Sequence, residues 1–235
     1  MNKNGNTLRK TRPKVLFFDV NETLLDLTPM EQTIGKALGG NAELLALWFT
    51  TMLQYSLVTS ASGHYKPFGH IGAATLQMVA ANNNIKISEE NAREIVHNAM
   101  QNLPPHPEVK EALSKLKKAG YKLVAFTNSS NKGLQCQFKN AELTSYFDKR
   151  LSVEDSGKFK PFTDTYTWGA HQMNVQLEEC MLIAAHGWDV AGALWAGWRA
   201  AFVSRPKKQL FPLAPKPEIE EHNLIKVADV LVTYR

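Results

Sequence analysis

Asp19 directly follows the apolar run Val15–Phe18 and stands four residues before Thr23. Thr127 and Asn128 follow a second apolar run, Lys122–Phe126. His186 and Asp189 follow a third, Cys180–Ala185. An ionised carboxylate with hydrogen-bond donors around it can serve as a covalent nucleophile. The hydroxyls of Thr23 and Thr127 can donate to an anionic oxygen. An imidazole or a second carboxylate can move protons.

The elements that must position these groups follow from local pattern. Short β-branched and aromatic runs ending in polar residues predict buried strands. The expected strands are Val15–Phe18, Lys122–Phe126, Lys149–Ser152, Cys180–Ala185 and Ala200–Val203. From Pro29 to about Gln101 the pattern is helical, punctuated at Gly39-Gly40-Asn41 and Ser62-Gly63-His64, with Ser88 as an N-cap. Further helices are expected near 107–119, 132–140, 163–173 and 190–197, and the tail carries Leu224–Leu231 without further chemistry. Strands alternating with helices predict a parallel sheet covered on both faces. In such sheets ligands bind outside the carboxyl ends of the strands, where the polar residues gather. The helical block after the first strand would lie over that site as a lid.

The chain has 235 residues, which allows one domain or a core with a smaller insertion. Its 44% hydrophobic and 21% charged residues exclude a collagenous, low-complexity or wholly disordered chain. Two cysteines, Cys136 and Cys180, exclude a disulfide framework and a Cys-rich zinc site, and free thiols fit the cytoplasm. The net charge of +5 is mild and not interleaved with aromatics, so no nucleic-acid partner is expected. It suits a small anionic substrate. No run reaches about 18 consecutive apolar residues, so no membrane span is expected. The polar stretch 1–13 reads as a flexible basic lead-in.

Four strings resemble, in order, the motifs of the haloacid dehalogenase-like (HAD) hydrolases. They are Asp19-Val-Asn-Glu-Thr23, Thr127-Asn128, Lys160-Pro161 and Trp188-Asp189. Within that superfamily the wording NETLLD, SVEDxxxxKPxxxxY and WDVAGA is similar to type II (L-2-haloacid) dehalogenases. The resemblance implies an α/β fold, a Rossmann-like parallel sheet with helices on both faces and an inserted all-helical cap. Residues 14–27 and 105–235 would form the core and 28–104 the cap. It also implies a hydrolytic dehalogenase that releases halide from short L-2-haloacids through an aspartyl ester, giving 2-hydroxy acids. Asp19 would be the nucleophile. Lys160 would keep it ionised, and Asp189 would orient Lys160. Thr23, Thr127, Asn128, Tyr166 and Trp188 would meet the substrate, Asn128 and Trp188 offering N–H donors to the halide. The family often forms dimers, so a homodimer is expected.

The alternative is a HAD-type phosphatase acting on a small phosphate ester. Such enzymes place a second Asp two residues after the nucleophile, where this chain has Asn21. Their magnesium needs hard oxygen ligands in near-octahedral array, of which the fourth motif offers one. No metal and no cofactor are therefore expected.

Two departures from the family pattern are informative. Well-known members carry an Arg after a Trp in the first cap helix, whereas the matching pair here is Trp48-Phe49. Phe49, Phe68 and Trp188 would then build an aromatic pocket suited to bromine and iodine. Many type II enzymes have Gly before the motif Thr, with Ser and Asn in the fourth motif. Glu22, Ala184 and His186 stand there instead. A carboxylate bonded to one ring nitrogen would orient His186 and make it the base that activates water.

Overall fold

The computed structural model describes residues 11–235. Most of the expected lead-in lies outside the described residues. Within them Arg12 stacks 3.7 Å from the Tyr121 ring centroid and donates to Ala119 O, so the packed chain has begun by then.

Six strands form one parallel sheet. They are β1 (Val15–Phe18), β2 (Lys122–Thr127), β3 (Lys149–Ser152), β4 (Cys180–Ala184), β5 (Arg199–Val203) and β6 (Ile219–Glu221), in spatial order β3-β2-β1-β4-β5-β6. Strands β1, β2 and β4 are buried at nearly every residue, as a sheet covered on both faces requires. Strand order reverses at β1, which pairs with β2 on one side and β4 on the other, through Phe18↔Ala125 and Phe18↔Ile183. Such a switch point leaves a crevice at the strand ends. β6, three residues at the sheet edge, has no counterpart among the expected strands, being too short to show alternation.

Between β1 and β2 lie a turn of π-helix at Glu31–Gly35 and the helices α1 (Ala42–Ala61), α2 (Phe68–Asn82), α3 (Glu89–Gln101) and α4 (Val109–Lys118). The first three form the helical cap. Asn41 and Ser88 cap α1 and α3 through their side chains. Among the described residues, α1 is long and apolar enough by length and composition to cross a membrane. Here it buries Trp48 and Met52, and Trp48 Nε1 donates to Gly72 O of α2 at 2.8 Å. The cap also reaches the core: Phe159 N donates to Ser60 Oγ at 3.0 Å, and Tyr65 stacks on Phe159.

The remaining helices are α5 (Asn131–Asn140), α6 (Thr163–Met173), α7 (Gly187–Trp195) and α8 (Leu224–Leu231). The sequence expectation started α7 three residues late, because the polar His186-Gly-Trp-Asp189 stretch reads as loop. His186 is in fact its N-cap.

Candidate active site

The turn after β1 carries Asp19 to the switch point. Its backbone N–H donates to Ile183 O at 3.1 Å, pinning the β1 end to β4. Both carboxylate oxygens are engaged. Oδ1 accepts from Lys160 Nζ at 2.9 Å. Oδ2 accepts from the Thr23 hydroxyl at 2.7 Å and faces His186 Nδ1 at 2.9 Å. Asp19 is 5% exposed, so burial alone would raise its pKa. Lys160, then His186 and Thr23, outweigh burial and hold the carboxyl far below the usual range. It is therefore ionised, as a nucleophile must be.

Lys160 is fully enclosed and its three donors are all spoken for, by Asp19, by Phe126 O at 3.0 Å and by Asp189 Oδ2 at 2.5 Å. Burial opposes its charge, but Asp189 and Asp19 outweigh burial and raise its pKa. Asp189 sits in the first turn of α7, where the helix favours a carboxylate. Its other oxygen accepts from the Tyr166 hydroxyl at 2.5 Å. Tyr166 can come this close because Gly192 has no side chain: a Cβ there would lie 2.7 Å from the Tyr166 oxygen.

His186 links the nucleophile to a second carboxylate. Its Nε2 lies 2.8 Å from Glu22 Oε2, and Glu22 Oε1 lies 2.6 Å from Lys208 Nζ. Glu22 takes φ +67, the left-handed region that glycine adopts freely and other residues enter at about 1 kcal/mol. The result is one chain of alternating charge: Asp189, Lys160, Asp19, His186, Glu22, Lys208. Burial pushes the His186 pKa down, but hydrogen bonds to Asp19 and Glu22 and their charges lift it to about 9. In the free enzyme His186 is an imidazolium that donates from both nitrogens.

The expected Glu22–His186 contact is formed, and in the free enzyme the other ring nitrogen is committed to Asp19, so the ring has no lone pair to offer until the charge on Asp19 is removed. Four expected substrate contacts spend their polar atoms on protein partners instead. The Thr23 hydroxyl donates to Asp19 and accepts from Ala185 N at 2.9 Å, so it aims the nucleophile. The Asn128 side chain holds the Lys160 backbone, accepting from Lys160 N at 3.0 Å and donating to Lys160 O at 3.4 Å. Tyr166 is buried against Asp189, its hydroxyl 2.5 Å from Asp189 Oδ1 and 3.2 Å from Asp189 O. Thr127 is likewise buried, its oxygen accepting from Ser129 N at 3.1 Å.

An open cleft of about 620 Å³ adjoins this chain. Phe49, Leu53, Pro161, His186, Trp188 and Lys208 are among its walls. The Phe49 ring lies 6.4 Å from His186 at 18°, and the Trp188 ring lies 5.2 Å away at 28°. Trp188 Nε1 is buried and has no hydrogen-bond partner among the described residues. Phe68 does not join them. It packs on Phe159 and faces a separate crevice between α2, α3 and α5, because it opens α2 on the other side of the cap.

The family model for haloacid dehalogenase-like hydrolases matches residues 13–197. The chain belongs to the haloacid dehalogenase-like hydrolases. It is 25% identical over 216 residues to an (S)-2-haloacid dehalogenase of Pseudomonas fluorescens, covering 92% of this chain and 95% of the relative. It is 26% identical over 201 residues to (S)-2-haloacid dehalogenase 4A of Burkholderia cepacia, covering 83% and 87%. Its fold superposes with a TM-score of 0.87, at 22% identity, on L-2-haloacid dehalogenase of Xanthobacter autotrophicus with chloropropionic acid covalently bound. That match covers 93% of this chain and 98% of the other.

Within this hydrolase, Asn21 stands where the phosphatase pattern places a second Asp. Its side chain is turned away into an amide network, donating to Ser129 Oγ at 3.1 Å and accepting from Gln137 Nε2 at 2.9 Å. Ser129, Gln137, Arg205 and Lys208 support the site without having been singled out in the sequence. Lys208 could have been found by the rule that found Asp19, since Arg205-Pro-Lys-Lys208 follows a strand end.

Proposed function

We propose that this hydrolase displaces halide from short L-2-haloacids. The observation that carries the reading is the ionised Asp19, held by Lys160 and joined through His186 to the wall of an aromatic cleft. The relatives' names agree with it. Asp19 attacks C2, the carbon–halogen bond breaks with its electron pair on the halide, and an ester forms with inversion. Halide needs no proton to leave, so the neutral amide at Asn21 is no handicap. Trp188 offers its free N–H to the departing anion, and Phe49 and Trp188 suit bromide and iodide.

Esterification changes His186. The negative charge facing Nδ1 disappears, and Glu22 alone remains against the ring. The imidazolium then sheds its proton and Nδ1 becomes a base beside the ester carbonyl. Water adds to the Asp19 carbonyl carbon as His186 takes its proton. The bond from the Asp19 carbonyl carbon to the substrate oxygen breaks, the second water proton passes to that oxygen, and the hydroxy acid leaves. The Asp19 carboxylate and the imidazolium are restored, the proton shed earlier having gone to solvent. His186 is therefore a cation in the first half-reaction and a base in the second.

Three further points belong to this reading. Residues 28–104 act as a cap over the cleft. The outer face of α1 carries exposed Leu47, Tyr55 and Val58, which supports a homodimer through that helix. Free Cys136 and Cys180 suit the cytoplasm.

The deciding experiment is halide release from chloro-, bromo- and iodoacetate and both 2-halopropionate enantiomers. Release from the S enantiomer with inversion is expected. Phosphate release from p-nitrophenyl phosphate with magnesium, and no halide, would overturn the reading.

A further inference from the structure

The chain leaving β5 folds back as a strap across the turn that holds Asp19 and Glu22. Arg205 fastens it: Nη2 donates to Thr23 O at 2.9 Å and Nη1 to Glu108 Oε1 at 2.6 Å. Lys208 N then donates to Arg205 O at 3.0 Å, closing a turn in which Lys207 takes φ +64. On the other side the strap presses against the start of α7. A Cβ on Gly187 would lie 2.3 Å from Gln209 O. Lys208 is thus delivered to a fixed place, with Nζ 2.6 Å from Glu22 Oε1 while the other Glu22 oxygen faces His186.

The charged groups around this unit can be named. Glu22 faces Lys208 from the strap and His186 from α7, and its backbone oxygen meets His106 Nε2 at 3.0 Å. His186 faces Asp19 and Glu22 and is flanked by the Phe49 and Trp188 rings. Beyond Asp19 stands the Lys160–Asp189 pair. Lys207 lines the cleft. Once Asp19 is esterified, Lys160 offsets Asp189 and Lys208 offsets Glu22, so His186 sits among balanced pairs. Without Lys208, Glu22 would stand as a lone carboxylate against the ring and keep its proton in place.

We propose that Lys208 is a positioning residue for ester hydrolysis, holding Glu22 ionised and turned to His186 while cancelling the charge that would otherwise trap the imidazolium. The inference rests on the dehalogenase reading above. Burial tends to raise the Glu22 pKa, and His186 and Lys208 together bring it below its ordinary value, in keeping with a carboxylate clamped between cations.

The test compares the full-length enzyme with Lys208→Met and Lys208→Arg, using (S)-2-bromopropionate. Three readouts are taken: the rapid-quench halide burst, the pH profile of kcat, and the NMR titration of the His186 ring in free enzyme. Lys208→Met should keep a stoichiometric burst and accumulate ester. The acidic limb of its kcat profile should move up by about one pH unit. Turnover below that limb then falls about tenfold, and the His186 titration also moves upward. Lys208→Arg should stay near wild type in all three. An unmoved pH profile in Lys208→Met overturns the proposal, as does an Arg variant as impaired as the Met variant. Loss of the first burst would also overturn it by placing Lys208 on the substrate. If wild type itself released no halide, the dehalogenase reading would fall, and the His186 titration would still decide whether Lys208 governs the ring.

Discussion

His186 Nδ1 and the Thr23 hydroxyl converge on the same oxygen of Asp19, at 2.9 and 2.7 Å. Lys160 alone takes the other oxygen among the described side chains. The nucleophile is therefore held asymmetrically, with a neutral donor and an imidazolium on one side and a buried ammonium on the other.

Asp19→Asn should abolish halide release, including the first turnover, by on the order of 10⁴-fold or more. Far-UV circular dichroism should be unchanged, since the amide keeps the shape and can still receive a hydrogen bond. An Asn variant that retained most of its activity would mean another group attacks carbon.

His186→Ala and Glu22→Gln should stall the second half-reaction. Each should give a burst of one halide per site and a mass increase on Asp19. Steady turnover should fall about 10²–10⁴-fold, as removal of a general base does. Because the two act together, the double variant should be little worse than the worse single one. Near-normal turnover of His186→Ala would remove the ring from the hydrolytic step.

Stability should depend on pH through two groups. Asp19 has a lowered folded pKa, so its contribution is full above the unfolded carboxylate range and is lost as pH falls through that range and below. His186 is raised from 6.5 to about 9, so its contribution is full below 6.5 and fades as pH climbs to 9. Between pH 6 and 9.5 the enzyme should lose roughly 3 kcal/mol from this group. Urea melts at both values should show the loss in wild type and not in His186→Gln.

EDTA should leave the halide release rate unchanged. Asn21 is tied to Ser129 and Gln137, and Lys160, Thr23 and His186 already fill the contacts of Asp19. A rate that collapsed with EDTA and returned with magnesium would instead favour phosphate chemistry.

Much of this site could be read from residue order. Strand-end position revealed Asp19, His186 and Asp189, and the motif spacing brought Lys160 to them. The pairing of Glu22 with His186 was also legible, because both replace smaller or neutral types at neighbouring strand ends. What escaped was the direction of hydrogen bonds. Thr23, Asn128 and Tyr166 have the polar atoms a substrate would use, but each spends them on Asp19, Lys160 or Asp189. Which partner a polar side chain takes depends on neighbours more than 20 residues away for Asn128 and Tyr166. Phe68 packs on Phe159 and lines a crevice apart from Phe49 and Trp188, and aromatic type alone does not tell which side of a cap helix a residue faces. Arg205 and Lys208 were missed because a basic loop reads as a solvated one.

The strained backbone at Glu22 bears on how such a site could arise. A chain with Glu22 but no His186 would hold a carboxylate in a left-handed turn with only Lys208 to face. A chain with His186 but no Glu22 would bury a ring bonded to the nucleophile alone. Each half-built state carries an unfavourable backbone or an incompletely paired charge, and partners in direct contact are not independent in their effects. The two positions are thus epistatic: the benefit of either residue depends on the other being there first.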